Sequence, residues 1–275
     1  MINISQELGH ANAIVIKDLE RAAKYAAVAD QFSKLSSDVQ LPDSSIEIDF
    51  GFQPEKNPDE PFNNLGEEIR DEFASYSARF SILTMITAFE IFVVRVLWIA
   101  KVCQWVLQNG IQVPTTDFYR LGQEARKTAR HKSVHRMISL IGEHIGKSAD
   151  FQSLEWFRSI YAARNCLTHR GGLVGPEDVN NEEKLKLVYR VPQLLVDGVP
   201  QEKTRGLNVE GGSAVGITFV SGGREFAIGE CLILTPQDCQ NIALSIAVGA
   251  SDILKMINDA AQEIFQKHKG SAASS

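Results

Sequence analysis

Apolar residues recur at three- and four-residue steps along most of this chain, the period of helices with one buried side. From Ser5 to about Leu35 the series Leu8, Ala11, Val15, Leu19, Ala22, Ala26, Ala29 and Phe32 predicts a long helix without proline, its small residues suited to close packing. A second helix is predicted from Leu65 to Leu107 on Ile69, Phe73, Tyr76, Phe80, Leu83, Ile86, Phe89, Val93, Leu97 and Ala100. Its apolar stripe widens after Ser81, which makes it the central helix. Between the two, residues 36–64 turn to Ser, Asp, Asn and Pro. Pro42, Pro54, Pro58 and Pro61 forbid a continuous helix there, so this is a surface connection in which Ile46–Phe50 alternates like a short strand. Asn109-Gly110 stops the second helix, and Pro114 to Asp117 supplies a turn and cap. One further helix is then expected through Arg120–Arg136 and on through Ile138, Ile141 and Ile145 to a stop near Gly146. The next begins at Asp150 as N-cap and carries Leu154, Phe157, Ile160, Tyr161 and Leu167.

After Gly172 the period changes. Leu185, Leu187, Tyr189 and Val191 alternate with their neighbours like a strand, and Asp197-Gly198 can turn the chain. Gly216–Val220 and Glu225–Ile228, joined by Ser221-Gly-Gly-Arg224, read as a hairpin, with Cys231–Leu234 as a further strand. Pro236 to Asp238 restarts helix, carried to about Lys267 by Ile242, Ile246, Ala250, Ile253, Ile257 and Ile264. The expectation is a mainly α domain over 1–269 with five or so principal helices. A small antiparallel β insertion over 183–235 precedes the last helix, and a disordered tail covers 270–275.

The chemistry gathers where the Tyr161 helix ends. Arg164 and Asn165 emerge near its last turns, His169 falls in the final one, and Gly171-Gly172 closes it with the left-handed conformation that glycine tolerates. The negative end of a helix dipole favours an imidazolium at His169. Five residues amount to about 140° of rotation on an ideal helix. Arg164 and His169 therefore meet at one spot only if the last turn distorts or two copies face each other. Arg126 with His131 and Arg130 with His135 repeat the Arg-four-His spacing, but they lack the Asn, the apolar helix before it and the glycine stop after it.

An Arg followed at once by Asn and, five positions on, by His resembles the motif of the HEPN superfamily (higher eukaryotes and prokaryotes nucleotide-binding). The resemblance implies a HEPN-like helical bundle that dimerises. It implies in many members a metal-independent endoribonuclease, used in toxin–antitoxin pairs, phage defence or RNA processing. Carried onto this chain, His169 would be general acid or base, Arg164 would hold the scissile phosphate, and Asn165 would help position it. Several HEPN families place a similar Phe-Glu on the neighbouring helix, here Phe89-Glu90. Glu90 then either orients Arg164 or His169, or forms a structural ion pair with Arg95 or an arginine of another helix, because a carboxylate among aromatics needs a partner. Some HEPN domains are thought to have no nuclease activity. The alternative is thus a non-catalytic dimeric module binding a protein, nucleotide or RNA.

Composition narrows the partners. The 275 residues carry a net charge of −6, so the molecule as a whole does not attract nucleic acid and any RNA contact needs a local basic patch. Arg120, Arg126, Lys127, Arg130, Lys132 and Arg136, opposed within that run only by Glu124, make such a track or else a solvated face, with Arg170 beside the motif. His131 and His135 sit four apart, one element of a zinc site, but lack the Glu of a metalloprotease helix. No metal or cofactor is expected. The four cysteines Cys103, Cys166, Cys231 and Cys239 are scattered and read as reduced thiols. The stretch Ile82–Ala100 has the length of a membrane span, but Glu90 and Arg95 interrupt it, so a core helix and no membrane contact are expected. The start, Met1-Ile-Asn-Ile-Ser, lacks the pattern of a secretory signal, so a cytoplasmic setting is expected. Partners expected are a second copy, an RNA substrate and an antitoxin or other protein.

Overall fold

A computed structural model of the protein describes residues 4–35, 65–110, 112–148, 153–180, 183–201 and 211–272. The predicted connection 36–64 with its Ile46–Phe50 strand, the Asp150 cap and residues 273–275 lie outside the described residues. The chain runs α1 (Ile4–Leu35), α2 (Leu65–Asn109), α3 (Thr115–Ala129), α4 (Val134–Ile145), α5 (Ser153–Arg170), a short 3-10 turn (Pro176–Asp178), β1 (Lys184–Val196), β2 (Val199–Pro200), β3 (Val215–Ala227) and α6 (Pro236–Ala272). It is mainly α, with a small three-stranded antiparallel sheet before the last helix.

Helix α2 is apolar on nearly every side, and the other five helices all pack on it. Ile82, Met85, Ile86, Phe89, Phe92, Val93, Val96, Leu97 and Ala100 are essentially removed from water. Each large side chain among them contributes roughly 1.5–3 kcal/mol by burial. The stretch Ser75–Asn109 is long and apolar enough to cross a membrane, and 56% of its most apolar window is buried inside the protein. Helix α1 presents the stripe its periodicity predicts, Leu8, Ala11, Val15, Leu19, Ala22, Ala26 and Ala29 all being buried. Cys103, Cys166 and Cys239 are buried free thiols and Cys231 is exposed. Burial pushes Cys103 up to about 12, and burial followed by the neighbouring Asp238 does the same for Cys239.

Two elements depart from expectation. The single helix predicted from Asp117 to Ile145 is two, α3 and α4. The buried pair Leu121 and Ala125 is followed by Val134, Ile138 and Ile141. The nine residues from Ala125 to Val134 would rotate a straight helix by about 180° out of phase. One helix would therefore bury opposite faces, and the chain breaks so that both stripes reach α2. Ser133 exploits the break as N-cap, its hydroxyl accepting the Arg136 N–H at 3.3 Å. Ahead of α3, Pro114 is the capping position and no side chain caps the helix, contrary to the predicted cap.

The second departure is in the sheet. Ser221-Gly222-Gly223-Arg224 does not turn. Instead β3 runs straight through it, paired with β1 from Lys184↔Ala227 to Val196↔Val215. A Cβ on Gly223 would lie 2.3 Å from the Leu187 carbonyl oxygen, and one on Gly222 2.5 Å from a Val191 methyl, so these glycines serve close packing rather than turning. The Asp197-Gly198 turn is present, joining β1 to β2. Cys231 makes only an isolated bridge to Leu173 rather than starting a strand. Helix α6 continues past the predicted end at Lys267 to Ala272.

The helices hold β1 along its outer edge. The Ser159 hydroxyl accepts the Val188 N–H at 2.9 Å, and the Ser245 hydroxyl accepts that of Arg190 at 2.7 Å. Asn180 both accepts the Lys186 N–H and donates to its carbonyl. At the foot of the sheet, buried Asp238 joins three elements. It accepts from the Tyr189 hydroxyl of β1 at 2.5 Å, from Arg224 of β3 at 3.1 Å, and from the Thr235 N–H at 2.8 Å. Thr235 returns the bond by accepting the Asp238 N–H, a capping box with proline in the first turn of α6.

Burial works to raise the Asp238 pKa, but the bonds from Tyr189, Thr235 and Arg224 outweigh it and hold the carboxyl below its usual range. A depressed carboxyl adds stability that is complete above its unfolded-state pKa of about 3.9 and is lost as pH falls through the lower folded-state value. Asp238→Asn should lower the unfolding free energy at neutral pH by about 2–3 kcal/mol, the scale of hydrogen bonds to a charged group. In urea titrations from pH 7 downward the wild-type advantage over Asp238→Asn should shrink below about pH 4. A gap that stays constant to pH 2 would assign the effect to packing instead.

Candidate functional site

Helix α5 packs chiefly on β1, with α6 and α2 as further neighbours, and Ser159 ties it to Val188. Against α2, the Phe89 and Phe157 rings stack with centroids 4.4 Å apart. One turn farther along α5, Tyr161 comes beside Glu90. The Tyr161 hydroxyl is buried and finds no hydrogen-bond partner of ordinary geometry. Burial, then the charge of Glu90, pushes its pKa well above the phenol range, with Arg164 opposing. Glu90, Tyr161 and Arg164 are therefore electrostatic neighbours on the half-buried side of α5. No ion pair joins Glu90 to Arg95 or to another described arginine.

Arg164 is half-buried and donates from Nη1 to Asn165 Oδ1 at 3.1 Å. Its carbonyl accepts from the Thr168 hydroxyl, and the helix runs unbroken through the motif to Arg170. No carboxylate among the described residues pairs with its guanidinium. His169 is exposed in the last turn, as its position before the glycines predicts. Gly171 and Gly172 both take positive φ, and the Gly172 N–H donates to the Cys166 carbonyl to close the helix.

Beside this helix end lies an open cavity of about 340 Å³, lined by Ala162, Asn165, His169 and Arg170 from α5 and by Glu177, Asp178, Val179 and Asn180 from the segment that follows. Within one chain, then, Asn165 and His169 line the cavity, and Arg164 does not line it but reaches its edge through Asn165. The unbroken helix keeps the rotation between Arg164 and His169 that their spacing implies.

Arg170 departs from the role of a free phosphate contact. Its guanidinium makes a bidentate pair with Asp178, Nε to Oδ2 at 2.5 Å and Nη2 to Oδ1, and Nη1 reaches Glu177 at 2.9 Å. Asp178 is buried, its side chain only 1% exposed, and it also accepts the Gly175 N–H. This pair pins the segment after α5 against the helix end and shapes the cavity wall, and the two carboxylates leave that wall without excess positive charge.

The basic track divides in the same way. Arg120 pairs with Asp117 and Glu124, and Arg136 with Glu143. Arg126, Lys127, Arg130 and Lys132 are exposed or nearly so and have no ion pair with a described residue. The break after α3 puts His131 in the turn and His135 on α4, so they share no helix face. His135 Nε2 lies 3.1 Å from Arg158 Nη2, and burial with that arginine lowers its pKa. Among the described residues no group of three or more His, Cys, Asp or Glu comes together.

Sequence reasoning missed Tyr161, Asp178 and Arg79. Arg79 of α2 reaches the end of α5, where a Cβ on Gly172 would lie 3.1 Å from its Nη2, and its Nε is buried without a partner. It lies over the Tyr76 ring at 5.6 Å and has no described carboxylate. Nothing local flags an arginine one helix away. The Asp178 pairing had a faint signal in Gly175-Pro176-Glu177-Asp178, a turn rich in acids directly after Arg170.

No protein-family model, curated protein or solved structure matches the chain.

The Arg170–Asp178 pair can be tested for its structural role. Asp178→Ala leaves a guanidinium without its buried partner and should cost about 3–5 kcal/mol of stability. Arg170→Ala should cost a similar amount, and the double variant clearly less than the sum, since both remove one interaction. Urea unfolding of the three variants measures this.

Proposed function

We propose that the chain is a metal-independent endoribonuclease of HEPN type, in which the RNA 2′-hydroxyl attacks the adjacent phosphate. What carries the reading is the set of side chains at the end of α5 that no described carboxylate engages: Arg164 and Arg79 as cations, with His169 exposed beside Asn165. A histidine supplies proton transfer at neutral pH, and a guanidinium stabilises the charge that builds on phosphorus oxygens. Arg126, Lys127, Arg130 and Lys132 serve as backbone contacts, with Arg120 and Arg136 beside them in exposed ion pairs that a phosphate can displace, while Arg170 is held by buried Asp178.

The site is completed by a second copy. Tyr76, Phe80, Thr87 and Ile91 are exposed and fall on one side of α2, next to the motif helix, Tyr76 at 63% and Phe80 at 65%. A two-fold contact there would bring the Arg164 of one chain toward the His169 of the other, which resolves the rotation between them. A cytoplasmic setting, in toxin–antitoxin or phage-defence systems, goes with this reading. A second reading, a binding module without catalysis, is favoured by one observation: Glu177 and Asp178 give the His169 cavity an acidic wall that a phosphate would avoid.

Purified protein incubated with single-stranded RNA in excess chelator should produce fragments ending in 2′,3′-cyclic phosphate. DNA of the same sequence should survive, lacking the nucleophile. His169→Ala should lose roughly 10²- to 10⁴-fold in rate, and Arg164→Ala a comparable amount. Arg126→Ala and Arg130→Ala should weaken binding and flatten its salt dependence. Intact RNA with wild-type protein, or undiminished cutting by His169→Ala, leaves the binding module.

A further inference from the structure

Strand β3 has an edge that the other described residues leave unpaired. On β1, Lys186, Val188 and Arg190 turn their backbone groups away from β3 and onto Asn180, Ser159 and Ser245. Their register partners Glu225, Gly223 and Ser221 likewise face away from β1, as opposed residues do in an antiparallel ladder. By alternation so do Phe219, Ile217 and Val215. None of these outward N–H groups meets a described acceptor, whereas at the foot of the strand the Ala227 N–H is taken by Glu230. The inner half of the β1 edge is thus held by Asn180, Ser159 and Ser245 and its tip by β2, while among the described residues nothing pairs with the outer edge of β3.

Open edges are commonly blunted by lysine, proline or a bulge. From Gly211 to Gly223 there is no charged residue and no proline, and the pairing with β1 is unbroken. The side chains agree with the backbone. Val215, Ile217 and Phe219 stand opposite Val196, Leu194 and Pro192, so one face of the outer ribbon is wholly apolar. Ile217 is 66% exposed and Val215 58%.

We propose that this edge pairs with the same edge of a second copy, β3 against β3, antiparallel about a two-fold axis near Ile217 and Phe219. The occupant follows from charge. The molecule carries a net −6, yet the stretch 211–223 of this edge has none of it and Glu225 beyond it is paired with Lys184 and Lys186, so two copies meet along that stretch without charge against charge, and a charged partner strand would find nothing there to pair with. A strand antiparallel to its own copy presents each outward group with its complement, and the three-stranded sheet becomes six-stranded. The two apolar faces then lie on one side of that sheet and bury Val215, Ile217 and Phe219 against their counterparts. The surface is separate from the α2 stripe and does not depend on the nuclease reading.

The test is light scattering on the full chain for wild type, Ile217→Lys and Phe219→Pro, with circular dichroism to show that each variant folds. Proline at 219 removes an N–H that β1 does not use, so the hairpin survives. Both variants should have half the wild-type molar mass, and single cysteines placed from 216 to 220 should cross-link to themselves most strongly at one central position. Phe80→Glu, on the α2 stripe, should leave that cross-link in place. Wild-type protein with the mass of one chain, or variants with unchanged mass, overturns the proposal. So does a wild type that changes mass only when an extended peptide of another protein is added.

Discussion

Burial of α2 is the constraint on which the rest of the molecule depends. A helix apolar on nearly all sides has to be covered on most of them, and α1, α3, α4, α5 and α6 each contribute to that task, leaving only Tyr76, Phe80 and Ile91 more than half exposed among its described large apolar residues. The requirement explains the break between α3 and α4, where two stripes half a turn out of phase must both reach the same core. It also bears on where α5 lies. The Phe89–Phe157 stack is part of the core, and together with the packing of α5 on β1 it sets where Tyr161, Arg164 and Asn165 emerge.

The charges around α5 sort into two groups with different work. Arg170 and Arg224 are held by buried carboxylates, Asp178 and Asp238, and act as joints between segments. A buried pair of this kind contributes less to net stability than its geometry suggests, because both ions lose their hydration. Removing one partner is another matter, since the remaining charge is then stranded. Arg164 and Arg79 have no such partner among the described residues, and an arginine kept half-buried without a carboxylate is available to an external anion.

The sheet is tied in by side chains rather than by further strands. Ser159 and Ser245, both on helices, take the place of a neighbouring strand for β1, and Asp238 holds β1, β3 and α6 at one point. This suits an insertion whose outer half leaves the core: its inner half, with Leu185, Leu187, Tyr189 and Phe226, is buried like any core strand. The outer half rises away from the helices with apolar residues uncovered.

Periodicity alone determined the long helices, because each buries a continuous stripe and the three- to four-residue step needs no partner to be visible: α1 from Leu8 to Ala29 and α6 from Ile242 to Ile264 lie as read. The same holds for the local end of the motif helix, where Gly171-Gly172 and the final-turn His169 follow from backbone conformation. Features that depend on the phase or identity of a distant neighbour were decided by the tertiary structure. Gly222-Gly223 looks like a turn until Leu187 and Val191 are seen against it, and a continuous run from Thr115 to Ile145 looks like one helix until both stripes must meet α2. Arg170 looks like a free cation beside a motif, and Arg79 like a surface residue, because charge in a sequence carries no partner. Which arginines are spent on buried carboxylates and which are left for a ligand is a property of packing, since only the fold sets the distances that pair them.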